Sequence, residues 1–143
     1  METCPQLKEV LRKMADSEPT NLPTPASCTA DFCLIPLGTP TASVSKEVAE
    51  VQRLLKKSGV KYSMHSAGTT LEGSWDQCMH IIGQCHSMLH ARGVVRIQSD
   101  IRVGSRTDKK QSFEDKVSAV EKLLAADNEH VEDEDAGEIT YKR

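Results

Sequence analysis

The stretch from Lys61 to Trp75 gathers a carboxylate (Glu72), several hydroxyls, a histidine (His65) and the chain's single tryptophan. Residues of these types, set around a turn, can line a small pocket whose carboxylate faces a cationic or amidine-like ligand. Glu72 is its charged member, placed between Leu71 and Gly73 on what reads as a short, protected strand. A desolvated carboxylate needs a cation or hydrogen-bond donors. A ligand could supply them, and so could Arg102 or Arg106 from a neighbouring strand or subunit; the residues alone leave both open. The neighbours also have an architectural reading. Gly68 turns a hairpin, Thr69 and Thr70 suit a strand, Gly73–Ser74 opens a helix, and Trp75 fits that helix's apolar face.

Other chemistries find less support. His86 and His90 lie four apart and share a helical face, but no HExxH motif accompanies them and His80 projects to the other side, so flanking histidines are expected rather than zinc ligands. There is no GxSxG elbow and no HRD-like loop, and Gly68 and Gly73 are too isolated to cradle a phosphate. The five cysteines, Cys4, Cys28, Cys33, Cys78 and Cys85, form no CxxC pair. Cys78 and Cys85 fall on an apolar helix face, so buried free thiols are expected. No catalytic residue, metal or cofactor is expected, and hence no enzyme. Aromatic residues make up 3% of the chain, and the strand Thr69–Gly73 has none, so the base stacking of RNA-binding modules is not expected either.

The elements that must position these residues follow from composition and periodicity. With 143 residues, 38% hydrophobic and 27% charged, the chain has the size of one domain. From Asp127 onward seven acidic residues face Lys142 and Arg143, a net −5, so residues 1–126 carry +2 of the total −3. Residues 126–143 therefore read as a solvated acidic tail, and the near-neutral body offers no footprint for nucleic acid. No apolar run is long enough to span a membrane and no signal core opens the chain, which points to a soluble, cytoplasmic protein. All six prolines lie at or before Pro40, and Glu18–Ser27 has linker composition. Residues 1–28 are thus an extension, with a short helix over Pro5–Ala15, and 29–125 the domain.

Within that domain, Thr29–Leu37 reads as a strand. Ser43 or Ser45 caps a helix carrying Val44, Val48, Val51 and Leu55 on one face, and Gly59 stops it. Strands Val60–Ser66 and Thr69–Gly73 follow. Ser74 and Gln77 form a capping box for a helix with Trp75, Cys78, Met79, Ile82, Cys85 and Leu89 inward. In Val94–Val103 the residues Val95, Ile97, Ser99, Ile101 and Val103 alternate with polar ones. Ser112 and Asp115 then start a last helix with Phe113, Val117, Val120 and Leu124 on one side. The order is β-α-β-β-α-β plus a C-terminal helix, an α+β ferredoxin-like sandwich with an antiparallel sheet. One sheet face meets helices, and the other exposes Lys61, Ser63, His65, Arg96, Gln98 and Asp100 unless a second subunit covers it.

Three motifs in order, Thr41-Ala-Ser-Val-Ser-Lys-Glu-Val-Ala-Glu-Val, Ser66-Ala-Gly-Thr-Thr-Leu-Glu-Gly-Ser-Trp, and Arg102-Val-Gly-Ser-Arg-Thr-Asp-Lys-Lys with Asp115-Lys-Val-Ser-Ala-Val, resemble the small thiamine-binding protein family over about residues 29–125. The resemblance implies a ferredoxin-like fold, dimers and tetramers built through the sheets, and binding of thiamine or its hydroxymethylpyrimidine moiety without catalysis. Carried over by residue, it marks Ser43 and Ser45 at the first helix start and Gly68, Thr69, Glu72 and Trp75 in the hairpin-to-helix motif as ligand-binding positions. Arg106, Asp108 and Lys109 match a charged loop assigned to subunit contacts or anion binding. A carboxylate such as Glu72 can bond thiamine's ring amine or offset its positive charge. The alternative is a regulatory or scaffold module that assembles through its sheet face.

Overall fold

Four strands and two long helices carry the fold. The computed structural model describes residues 5–16 and 21–129, which divide into two compact units, one ending at Ser105 and one starting at Arg106. In the first unit, α1 spans Pro5–Ala15 as its composition predicts, followed by β1 (Cys28–Leu37), α2 (Ser45–Ser58), β2 (Lys61–His65), β3 (Gly68–Gly73), α3 (Trp75–Ala91) and β4 (Arg96–Gly104). The sheet order is β2-β3-β1-β4 with every neighbour antiparallel. That is the expected ferredoxin-like arrangement. Cys4 and residues 130–143 lie outside the described residues, and no described helix is long and apolar enough to cross a membrane.

The period of two along β1 decides which side chains meet the helices. Ala30, Phe32 and Pro36 are buried on one face of the sheet, while Asp31, Cys33 and Ile35 point to the other. Against the first face pack Val51 and Leu55 of α2 and Cys78, Ile81, Ile82, Cys85 and Leu89 of α3, with Leu71 of β3 fully buried at the centre. Cys78 and Cys85 are core packing units as expected. Burial pushes their thiols up to about 12 and about 11, Cys78 being raised further by the adjacent Cys28 thiol and the Glu72 charge, so both stay protonated at neutral pH. Ile81, absent from the predicted inward set, is equally buried.

The helix ends show where local signals held. Gly59 (φ 74°) and Gly93 (φ 98°) take the left-handed conformation that terminates α2 and α3. Ser74 caps α3 by accepting the Gln77 amide at 3.1 Å. The start of α2 differs from expectation: Val44 occupies the cap position and makes no side-chain cap bond. The Ser43 and Ser45 hydroxyls instead bond each other at 3.0 Å, with only a long 3.4 Å approach of the Ser45 amide to Ser43 Oγ. The last strand also starts later than its alternation suggested. β1 ends opposite Arg96, so Val95 has no ladder partner and is 90% exposed. Before β1, the Thr24 hydroxyl donates to Asp76 Oδ1 at 2.8 Å and Pro25 O accepts the Trp75 amide at 3.2 Å, which ties the proline-rich segment to the first turn of α3.

In the second unit, Arg106 grips Asp108 with two guanidinium nitrogens and donates to Gln111 at 2.7 Å. The Arg106 hydrogen bonds hold the Asp108 carboxyl down to about 2. The helix α4, Phe113–Glu129, opens on a reciprocal box in which Ser112 N donates to Asp115 Oδ2 at 3.0 Å and Asp115 N to Ser112 Oγ at 3.1 Å. Its stripe of Val117, Val120, Leu123 and Leu124 is exposed. Because Ala125 and Ala126 are strong helix formers, α4 continues to Glu129, so residues 126–129, grouped with the acidic tail by charge, are helical.

Candidate functional site

The polar residues singled out by the sequence do not converge on one place; the sheet divides them. A two-residue tip, Ser66–Ala67, sets the β2–β3 register by pairing His65 with Gly68, so Lys61 falls opposite Glu72. Glu72 therefore points to the face away from the helices. There Lys61 Nζ approaches its carboxylate at 3.3 Å, and the Glu72 side chain is 26% exposed. The guanidinium of Arg102 is engaged by Asp31, and that of Arg106 by Asp108. Trp75 lies half-buried against the core, as its helical position suggested.

Gly68 is not the turn residue expected of it. It is the first residue of β3, and its φ is not positive. What excludes a side chain is crowding: a Cβ there would sit 2.7 Å from the Phe32 carbonyl oxygen and 3.3 Å from His65 Cε1. The imidazole thus lies over a position without a side chain and reaches β1. His65 Nδ1 accepts the Ala67 amide at 3.3 Å, so Nε2 carries the proton donated to Asp31 Oδ1 at 2.7 Å. Arg102 donates to Asp31 Oδ2 at 2.8 Å from β4. Burial pushes the Asp31 carboxyl up, but the hydrogen bonds from Arg102 and His65 outweigh it and hold the group below its ordinary value.

The lowered pKa gives a pH prediction with a definite sign. A carboxylate with a depressed folded pKa adds stability above the unfolded aspartate value of about 3.9, and that stability is lost as pH falls through the folded value. Asp31→Asn should therefore flatten the acid limb of the stability curve below about pH 4 and cost under about 1 kcal/mol at neutral pH. Urea unfolding across a pH series measures both, and identical acid slopes in the two proteins would contradict the assignment.

On the helix face the structure opens a cavity of about 260 Å³ between α2, the second half of β1 and the β2–β3 turn. Its wall is largely apolar, with Phe32, Pro36, Val44, Val48 and Val51, and it includes Gly68 and Thr69. Val44 and Val48, which read as core, are half-buried cavity wall. Among its polar lining residues are two that the sequence did not single out, Glu47 and Gln52. Gln52 Nε2 donates to the buried Thr69 hydroxyl at 3.0 Å. Gln52 Oε1 and Glu47 Oε2 are shielded from solvent and have no hydrogen-bond partner among the described residues. A buried acceptor left unpaired costs about 1–3 kcal/mol, a cost that N–H donors of a bound molecule can remove. The sequence carried little signal for either: they flank the stripe Val44, Val48, Val51, Leu55 on its two sides, where a packed helix is ordinarily polar.

Of the six expected ligand positions, Gly68 and Thr69 line this cavity. Glu72 faces the opposite side of the sheet, and Trp75 packs with the core. Ser43 and Ser45 are exposed at the start of α2, where Ser45 borders a second groove of about 480 Å³ between α2 and the end of α3. The helix histidines are tied to neighbouring backbone and strand. His86 Nε2 lies 2.7 Å from Ser99 Oγ on β4, and His90 Nδ1 donates to Val94 O at 2.7 Å, closing the end of α3. Burial and the nearby His90 lower the His86 pKa.

Comparison with known proteins agrees with this architecture. The family described as Thiamine-binding protein matches residues 30–121. The UPF0045 protein ECM15 of Eremothecium gossypii is 48% identical over 95 residues, which cover 66% of this chain and 90% of that protein. YqgV of Bacillus subtilis is 35% identical over 99 residues, covering 66% and 95%. The crystal structure of MJ1052 from Methanocaldococcus jannaschii superposes with a TM-score of 0.61 at 33% identity, over 68% of this chain and 99% of that one. The matched span runs from β1 into α4 and includes both cavity walls. The chain belongs to the thiamine-binding protein family.

Proposed function

We propose that this protein binds thiamine or its aminopyrimidine moiety in the cavity between α2 and β1, as a cytoplasmic binding protein that does no chemistry on its ligand. The carrying observation is the pair of buried acceptors without a partner among the described residues, Glu47 Oε2 and Gln52 Oε1, in a largely apolar wall. An amino-substituted heteroaromatic ring matches such a wall: its faces suit Phe32 and Val48, and its N–H groups suit a carboxylate and an amide oxygen. At about 260 Å³ the space is below the roughly 300 Å³ of drug-sized pockets, which suits the aminopyrimidine ring, with the rest of thiamine extending out of it. The non-catalytic reading is supported by His65, whose Nε2 proton is bonded to Asp31 rather than poised beside a nucleophile.

Calorimetric titration with thiamine and with hydroxymethylpyrimidine is expected to give saturable one-site binding. No heat with either, at protein concentrations well above micromolar, would sink the proposal. A second reading, a scaffold that assembles through its sheet, is favoured by the exposed sheet face, which carries the Asp31–His65–Arg102 cluster and, at the far end of β1, Leu37 at 40% exposure. Light scattering on the same sample separates the two: an oligomer indifferent to ligand supports the scaffold, and a monomer that binds ligand excludes it.

A further inference from the structure

The groove on the other side of α2 borders the cavity through a shared residue. Glu47 lines both spaces, so one side chain is shared between the cavity wall and the groove. The groove is basic. Lys46, Arg53 and Arg92 line it against Glu47 and Glu50, leaving one positive charge in excess. Glu50 alone takes up a guanidinium nitrogen from each arginine, Arg92 Nη2 at 2.7 Å and Arg53 Nη1 on its other oxygen. A guanidinium has five N–H donors, so this shared carboxylate orients both arginines and leaves most of their donors for another acceptor. Ser45 sits at the rim, where the first turn of α2 lacks a side-chain cap.

We infer that the ligand of the cavity is a phosphate ester, its ring held by Glu47 and Gln52 and its phosphate by Lys46, Arg53 and Arg92. This rests on the cavity reading and narrows it to a phosphorylated form. A phosphate suits the groove for a stated reason: it accepts bidentate bonds from planar guanidiniums and gains from the excess charge. An uncharged hydroxymethyl or hydroxyethyl arm has no comparable use for two arginines.

The test compares thiamine with thiamine monophosphate by calorimetry, with inorganic phosphate as a further titrant. The monophosphate is expected to bind about tenfold tighter or more, a charge-assisted increment. The gain should shrink with added salt and disappear in an Arg53→Gln/Arg92→Gln double variant that still binds thiamine. Because Arg92 also ends α3, Lys46→Gln, a change at an exposed side chain, is the second variant and should reduce the gain on its own. Equal affinities for the two compounds would overturn the phosphate assignment while leaving the cavity reading intact. A gain that survives all three substitutions would place the phosphate elsewhere and overturn it as well. Phosphate binding to this groove unaffected by thiamine would mark an unrelated anion site and count against it. Failure of both organic compounds to bind would remove the cavity reading and this one together.

Discussion

Glu47→Gln is expected to weaken thiamine binding by about 10- to 100-fold, whereas Glu72→Gln should leave the affinity within about twofold. The two carboxylates lie on opposite sides of one sheet. Glu47 borders the cavity, and its Oε2 has no hydrogen-bond partner among the described residues. Glu72 faces Lys61 on the open side and touches no part of the cavity wall. A charge-assisted hydrogen bond from a ligand amine to a shielded carboxylate contributes about 1.5–3 kcal/mol, which sets the size of the loss. The same substitution should not destabilise the unliganded protein, because it replaces a buried, unpaired charged oxygen by a neutral amide. Calorimetry and urea unfolding on each variant give the four numbers required. Loss of binding in Glu72→Gln with retention in Glu47→Gln would reverse the assignment and restore the hairpin carboxylate as the ligand group.

Leu71→Ala should cost about 2–5 kcal/mol in stability, and Glu72→Gln, one residue further along the same strand, under about 1 kcal/mol. Leu71 is fully buried at the centre of the core, between β1 and the helices, so truncation leaves a cavity as well as a lost transfer term. The Lys61–Glu72 pair is partly exposed, with side chains at 45% and 26%, and behaves as a surface ion pair. Urea denaturation midpoints at unchanged slope measure the contrast. A Glu72 effect as large as that of Leu71 would mean the open face is not solvent-facing in solution and that another subunit buries it.

Much of this architecture was legible because the signals were local. The periods of 3.6 and 2, the glycines at 59 and 93, and the Ser74 and Ser112 caps each depend on residues within one turn of each other. The site was harder to read, for a reason visible at two positions. Glu72 drew attention as a carboxylate on a protected strand, yet its orientation depends on the β2–β3 register, which the two-residue tip at Ser66–Ala67 fixes. That register makes Lys61 its neighbour. Glu47 and Gln52 drew none, since polar residues bordering an apolar helical stripe are ordinary until the stripe is known to line a cavity. Ser43 and Ser45 read as caps because the residue types suit one, but their hydroxyls face each other instead.

The sequence by itself determined the elements, their order and the family, because each follows from short-range chemistry and from motifs spread over the whole domain. Tertiary structure decided which carboxylate borders the cavity. Successive residues of a strand point to opposite faces, so whether a side chain on β3 reaches the cavity or the open side is settled by pairing with β2 and β1. Long-range contact likewise forbids a side chain at Gly68, where the Phe32 carbonyl lies 2.7 Å from any Cβ. The cavity itself exists only once α2 is laid across β1, and only then do Glu47 and Gln52 become the groups that a bound ring would meet.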